Sequence, residues 1–309
     1  MTRQATVEHM AQLPNFHIIM ACRSVLRCET AKTSIEKQHA TTQLSCLQLD
    51  LSSRASIEDF AVTVQQHLTG GEDEINQETA PIHILINNAG QMGSSETIQY
   101  IDEVEKHIQV NHLGHFLLTH CLWKSLLAGK GARIVNVSSL AAIPPLNPSS
   151  YWHPPSSPTS SSPAIQWIFP WMFYIRSKRA NLMFASELHH RFHNTPSGIT
   201  SVSSHPGVTQ TPMQTRIFQF APAGLLRLVN AIGSMSASEG ALTQVRAALD
   251  SRLASGVHVG PKYWVFGDAV VVGRVTGWTA HHWPFSRDES RLLWDQSLST
   301  LGIGEFGVL

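Results

Sequence analysis

Ile82-His83-Ile84-Leu85-Ile86-Asn87-Asn88-Ala89-Gly90 is an apolar run of strand length that closes on two amides, an alanine and a glycine. Its apolar residues do not alternate cleanly with polar ones, so it suits a strand buried on both faces, as in a parallel sheet. Ala89 and Gly90 would let a flat ligand approach the backbone closely. The Asn87 and Asn88 amides can bond neighbouring strand ends. Parallel strands need long crossovers, usually helical, so further strands should appear on both sides with helices between them.

Working outward, that alternation is present. Upstream, Ala5 to Leu13 reads as a short helix ended by Pro14-Asn15, and Phe16 to Ala21 as a strand. Gln43 to Leu49 is a second strand, ending in Asp50-Leu51, and Ile57 to Leu68 has a helical period. Residues 70 to 79 form an acidic polar loop. Downstream, Thr97 to Leu122 is mostly helical, Ile134 to Val137 is a strand ending at Ser138-Ser139, and Ile199 to Ser203 is another. Ser238 to Leu253 and Glu289 to Leu298 read as helices, with Tyr263 to Gly267 as a last strand. Strands and helices at this spacing predict βαβ units in one doubly wound parallel α/β sheet of Rossmann type, a single domain over residues 1–309.

Composition narrows the partners. Lys+Arg 22 balances Asp+Glu 22, so no net field points to nucleic acid or an anionic membrane surface. An apolar small molecule is the expected partner. The start has no apolar signal core and no run of 18 apolar residues follows, so no transmembrane segment is expected, and the chain reads as cytoplasmic with peripheral membrane contact left open. The four cysteines, Cys22, Cys28, Cys46 and Cys121, have no metal spacing and in a chain this long suggest reduced thiols. No metal is expected: His189 and His193 stand at i, i+4, but His190 occupies the place where a metalloprotease-type site has Glu.

Chemistry-bearing residues stand at the strand ends. In Trp171-Met172-Phe173-Tyr174-Ile175-Arg176-Ser177-Lys178, a helix would put Tyr174 and Lys178 on one face a turn apart. A phenol near its unperturbed pKa of ~10 is a poor proton donor or acceptor at neutral pH, and a close cation brings it into working range. Asn111 sits inside a helix, where its side chain competes with the backbone, which suggests a hydrogen-bonding task. Arg23 follows the first strand directly, where its planar fork can hold a ribose 2′-phosphate and favour NADP over NAD. His205-Pro206-Gly207-Val208-Thr209 makes a sharp strand exit, with Thr209 and Thr211 able to bond a ligand amide. Residues 144–163 hold seven prolines and seven serines, an insertion that reads either as a substrate lid running to 170 or as a surface segment. Ala221 to Ile232 is an apolar stretch suited to wall a greasy substrate.

Taken together, Asn88-Ala89-Gly90, Asn111, Ser139, Tyr174, Lys178 and Pro206-Gly207 resemble, in order and spacing, the short-chain dehydrogenase/reductase family over roughly residues 5 to 300. Ala21-Cys22-Arg23 and the Pro206-Gly207 segment are most similar to the branch of retinol dehydrogenases and protochlorophyllide reductases. The resemblance implies that Tyr174 is the general acid/base, that Lys178 lowers its pKa and holds the nicotinamide ribose, that Ser139 orients the substrate oxygen, and that Asn111 supports a proton-relay water. It also implies that Arg23, Asp50, Leu51, Asn88, Ala89, Gly90, Val208 and Thr209, with Tyr174 and Lys178, line an NADP(H) site. The implied function is hydride transfer between NADP(H) and a carbonyl or hydroxyl of an apolar small molecule, with a place in secondary metabolism.

One element of the family pattern is missing. The strand and Thr-Gly-x-x-x-Gly-x-Gly turn that receive the pyrophosphate would precede Met1, so the chain reads as an N-terminally truncated form, and NADP(H) binding is expected to be weak or absent. The sheet must then close a gap, borrow a strand from another copy as a homo-oligomer would, or fray. The alternative function is a cofactor-independent cyclase or isomerase, or a non-catalytic scaffold, on the same fold.

Overall fold

A computed structural model describes residues 2–39, 42–70, 79–92, 99–142, 163–196, 198–209, 234–263, 266–275 and 285–307. The chain runs α1 (Thr2–Met10), β1 (His17–Cys22), α2 (Val25–Glu36), β2 (Gln43–Gln48), α3 (Arg54–Thr69) and β3 (Ile84–Asn87). A small hairpin, β4 (Tyr100–Ile101) and β5 (Val104–Glu105), precedes a helix made of α4 (Lys106–Ile108), a π-helical turn (Gln109–Leu113) and α5 (Gly114–Cys121). Then come α6 (Trp123–Ala128), β6 (Arg133–Val137), α7 (Pro163–Phe192), β7 (Thr200–Ser204), α8 (Ala237–Leu249), β8 (Val257–Pro261), β9 (Ala269–Arg274) and α9 (Arg287–Leu301).

The expected parallel α/β sheet is present in two parts. Strands β3-β6-β7-β8-β9 form one sheet in that order, parallel except for the last pair, and β1 pairs with β2 in parallel as a separate ribbon. Local chemistry sets the helix starts. Ser24 and Ser53 cap α2 and α3, and Ser236 with Glu239 and Ser286 with Glu289 form capping boxes on α8 and α9. Pro163 opens α7, a position where its missing N–H costs nothing. The main core packs α3, α5, α7 and α9 together around Phe116, Phe184 and Trp294, all essentially buried.

The split decides where the site is open. Among the described residues β1 bonds to β2 and β3 to β6, so the other edges of β1 and β3 carry no strand. Ile84, Leu85 and Ile86 are accordingly part-exposed, whereas β6 and β7 are buried along almost their whole length. The expectation that 82–86 is buried on both faces therefore fails, because the strand lies at a described edge. Helix α1 spans the two parts: it packs on α8, where Gln244 Oε1 accepts from Thr6 Oγ1 at 2.6 Å and from Asn88 Nδ2, just past β3, at 3.0 Å.

Three further expectations are corrected. Lys262, Tyr263 and residues 266–268 form the turn between antiparallel β8 and β9 rather than a strand, with Lys262 N–H donating to Asp268 and Tyr263 N–H to Phe266. The start of the long helix expected from Thr97 is a hairpin as far as Glu105, because Asp102 and Glu103 take positive φ. The cysteines are not all thiols: Cys28 on α2 is bonded to Cys46 on β2. Residues 143–162 and 210–233 lie outside the described residues, and with them most of the lid segment, Thr211 and the apolar wall 221–232.

Candidate active site

The site forms where the carboxyl ends of β3 and β6 meet α5 and α7. Helix α7 is pinned there by its own backbone and side chains. Ser138 Oγ donates to the Lys178 carbonyl at 2.8 Å, while Lys178 Nζ at 3.1 Å and Asn181 Nδ2 at 3.0 Å both donate to the Val137 carbonyl at the end of β6. Tyr174, one turn earlier, is buried and hydrogen-bonds through its hydroxyl with Ser139. Its ring stacks on Trp171, with centroids 5.6 Å apart and planes at 23°.

Asn111 lies in the π-helical turn, whose extra residue lets Gly114 N–H reach back to Gln109. Its side chain is fully buried and satisfied on both ends: Oδ1 accepts from Gln91 N at 2.8 Å, and Nδ2 donates to Gln91 O at 2.9 Å and Ser177 Oγ at 3.0 Å. Ser177 Oγ in turn donates to the Tyr174 carbonyl at 2.7 Å. Gly90 closes the group, since a Cβ there would stand 3.3 Å from Lys178 Nζ and 3.5 Å from Asn111 Oδ1. Buried Asn111, Tyr174 and Lys178 and half-buried Ser139 thus stand together beside Gly90.

Burial dominates the electrostatics. It brings the Lys178 ammonium down to about 8, with Arg3 of α1 as the second cause, and it pushes the Tyr174 phenol up, the Ser139 hydrogen bond pulling the other way. The phenol is raised by burial rather than lowered by Lys178, whose ammonium donates to the Val137 carbonyl. Both groups are tuned by desolvation more than by each other.

His112 and His115 are neutral imidazoles. Burial lowers them to about 3 and about 4. His115 Nδ1 bonds the Asn111 carbonyl at 2.9 Å, and Lys178 and Arg3 further disfavour its charge. Because their folded values lie below the usual ~6.5, the unfolded chain takes up protons first as pH falls, and stability is lost from about pH 6.5 down to the folded values. His115→Gln, whose amide can still donate to that carbonyl, should reduce proton uptake on unfolding by about one proton near pH 5, or about 1.4 kcal/mol of stability per pH unit. Denaturant melts from pH 7 to 4 check this, and parallel slopes for the two proteins would refute it.

The residues expected to hold a dinucleotide stand at or just past the ends of β1, β2, β3 and β7. Asp50, after β2, accepts from Ser52 N at 2.9 Å and Ser52 Oγ at 2.6 Å. Burial raises its pKa, but those bonds with Arg23 and Lys106 outweigh burial and leave it below the usual range. Arg23 is exposed in the turn from β1 to α2, and Leu51 is buried with its backbone against Gly114. Asn88 is held by Gln244, and Ala89 lies between Asn88 and the Gly90 contact. Gly207 takes a φ of +71°, Val208 O accepts from Met235 N at 2.8 Å, and Thr209 pairs with Met235. Sequence reasoning missed Gln91, His115, Ser177 and Gln244. The i, i+4 spacing of Asn111 and His115 was a usable signal for one of them. Nothing local marks Gln244, which acts from another helix.

Comparison with known proteins agrees with this fold. The family model for short chain dehydrogenase matches residues 4–151. Mouse retinol dehydrogenase 11 is 31% identical over 290 residues, covering 93% of this chain and 78% of that protein. The chain belongs to the short-chain dehydrogenase/reductase family. Within it, human retinol dehydrogenase 12 is 34% identical over 235 residues, 75% of this chain, which spans 65% of that protein's length. Among solved structures, an uncharacterised protein from Mycobacterium paratuberculosis superposes with TM-score 0.70 at 27% identity, covering 99% of this chain and 90% of its own. NADPH-bound carbonyl reductase from chicken fatty liver superposes with TM-score 0.56 at 20% identity, covering 83% and 90%, a likeness of fold. This short-chain dehydrogenase/reductase has no helix among its described residues long and apolar enough to cross a membrane.

Proposed function

We propose that the chain transfers a hydride between NADP(H) and a carbonyl or hydroxyl carbon of an apolar small molecule. The observation that carries this reading is the cluster in which Tyr174 meets Ser139 while Lys178 and Asn111 stand beside Gly90. NADP(H), when bound, supplies the hydride. Reduction leaves negative charge on the substrate oxygen, which needs a proton and aimed donors. Tyr174 gives the proton and Ser139 the second hydrogen bond, while Asn111, through Ser177 and Gln91, holds α7 and the Gly90 loop in place. The cofactor's ribose fits against Lys178 and Gly90, and its adenine end against Asp50, Leu51 and Arg23. The retinol dehydrogenases similar to this chain support an apolar substrate. The test is oxidation of NADPH by the purified chain with a panel of long-chain aldehydes and apolar ketones, followed by cofactor absorbance; no turnover of any member would overturn the reading.

The choice of NADP(H) rests on Arg23. Its exposed guanidinium follows β1 and acts on Asp50, which follows the neighbouring β2, and an arginine–phosphate contact is charge-assisted, so its loss costs about 1.5–3 kcal/mol. Arg23→Ala should raise KM for NADPH roughly tenfold to a hundredfold while leaving KM for NADH within about twofold. Equal losses for the two cofactors would make Arg23 a bystander.

A further inference from the structure

We propose that Cys22, Cys28 and Cys46 form a thiol–disulfide exchange site for small thiols and disulfides of the glutathione class. The Cys28–Cys46 bond ties α2 to β2 across a sequence separation of 18. Side chains alternate along a strand, so Ile18, Met20 and Cys22 share one face of β1, and Leu44 and Cys46 share the matching face of β2. Those five residues pack with Cys28 and Ile35 of α2 in one small apolar cluster. All three sulfurs therefore lie between the ribbon and α2. Cys22 is a part-exposed thiol. Burial raises its pKa and the Arg3 cation opposes that rise, so the thiol is protected at rest and reactive as it is uncovered.

Register puts Cys46 within reach. Cys46 pairs with Met20, so Cys22 is its diagonal neighbour two residues along. Such neighbours are separated by about 7–8 Å, just beyond what a bridge spans. Cys22 ends its strand and is followed by exposed Arg23, Ser24 and Val25, so closing the distance requires a shift of this end against the hydrogen bond its carbonyl accepts from Leu49 N–H at 3.0 Å. In the exchange the Cys22 thiolate attacks the Cys46 sulfur. The Cys22–Cys46 bond forms, the Cys28–Cys46 bond breaks, and Cys28 leaves as a thiolate that takes up the proton Cys22 gave up. The chain is neither oxidised nor reduced in this step. Opening by glutathione consumes two of its thiols: the first forms a mixed disulfide, and the second displaces the chain's sulfur and leaves as glutathione disulfide, so the chain gains two electrons and two protons. Either event removes the covalent tie of α2 to β2.

The experiment needs no cofactor, so its failure is separate from failure of the oxidoreductase reading. The full chain is equilibrated in reduced and oxidised glutathione, acid-quenched, alkylated and mapped by mass spectrometry, with hydrogen exchange read over 25–36. Expected results are a Cys28–Cys46 link in oxidising buffer, its opening by reduced glutathione with faster exchange in α2, and opening about tenfold slower in Cys22→Ser, which lacks the intramolecular thiol. In Cys28→Ser, oxidised glutathione should yield a Cys22–Cys46 link. A Cys28–Cys46 link that survives excess reduced glutathione, or is absent under oxidising conditions, would overturn the proposal. So would opening of Cys22→Ser at the unsubstituted rate, or only mixed disulfides in Cys28→Ser.

Discussion

Tyr174→Phe is expected to lower kcat for NADPH-dependent carbonyl reduction by about 10²–10⁴-fold, the usual worth of a positioned proton donor. KM and the melting temperature should barely move. The substitution removes one hydroxyl, whose hydrogen-bonding partner is Ser139, and leaves the ring stacked on Trp171 inside a helix anchored by Ser138, Lys178 and Asn181. Ser139 keeps a second partner, since its Oγ accepts from Ala141 N–H at 3.2 Å, so no stranded acceptor is created. The pH dependence separates chemistry from packing. Lys178 loses its charge near 8, so activity that relies on its ammonium should fall as pH rises through that value. Steady-state kinetics at saturating NADPH from pH 6 to 9 measures both effects. A phenylalanine variant retaining kcat within about threefold would remove Tyr174 from the chemistry, since the proton-donor role predicts no less than ~10².

Much of the element order was legible because hydrophobic periodicity is local: β1, β2, α3, β6, β7, α8 and α9 appear within a few residues of their expected places, whereas α2, α6, β8 and β9 were not read. The candidate cluster was legible for a different reason. Asn111, Ser139, Tyr174 and Lys178 each stand at a strand end or on a helix face that the fold must bring to one side of the sheet. What was not legible depends on contacts distant in sequence. Gln244 joins α1 to the end of β3 across 238 and 156 residues, and no pattern near it marks that task. Cys28 and Cys46 looked like thiols because spacing alone says nothing about two side chains that α2 and β2 bring together. The expected tuning of Tyr174 by Lys178 assumed that proximity on a helix decides; in the folded site burial is the larger effect on both. Tyr263 and Phe266 misled because aromatic residues favour strands, and both sit on a hairpin turn instead.

The second large effect concerns cofactor affinity. Calorimetry of the 309-residue chain with NADPH is expected to give a dissociation constant weaker than micromolar, so kinetic assays will need millimolar cofactor. No described strand bonds to the outer edge of β1 or of β3. Dinucleotide sites of doubly wound sheets place the pyrophosphate there, on bare glycine backbone and a helix N-terminus. Among the described residues that position is approached by α1, whose first turn carries Thr2, Arg3 and Gln4. Arg3 brings a charge near Lys178 and Cys22, but side chains in place of glycines keep phosphates from the backbone. On the proposed reading Lys178, Asp50 and Arg23 would still hold the ribose and adenine ends, so affinity is expected to be reduced rather than lost. If three backbone donors are missing at about 1 kcal/mol each, the loss is on the order of a hundredfold. A micromolar or tighter constant would show that Arg3 and the α1 terminus replace the glycine turn. No binding at millimolar NADPH would instead favour a cofactor-independent isomerase or cyclase built on Tyr174 and Ser139.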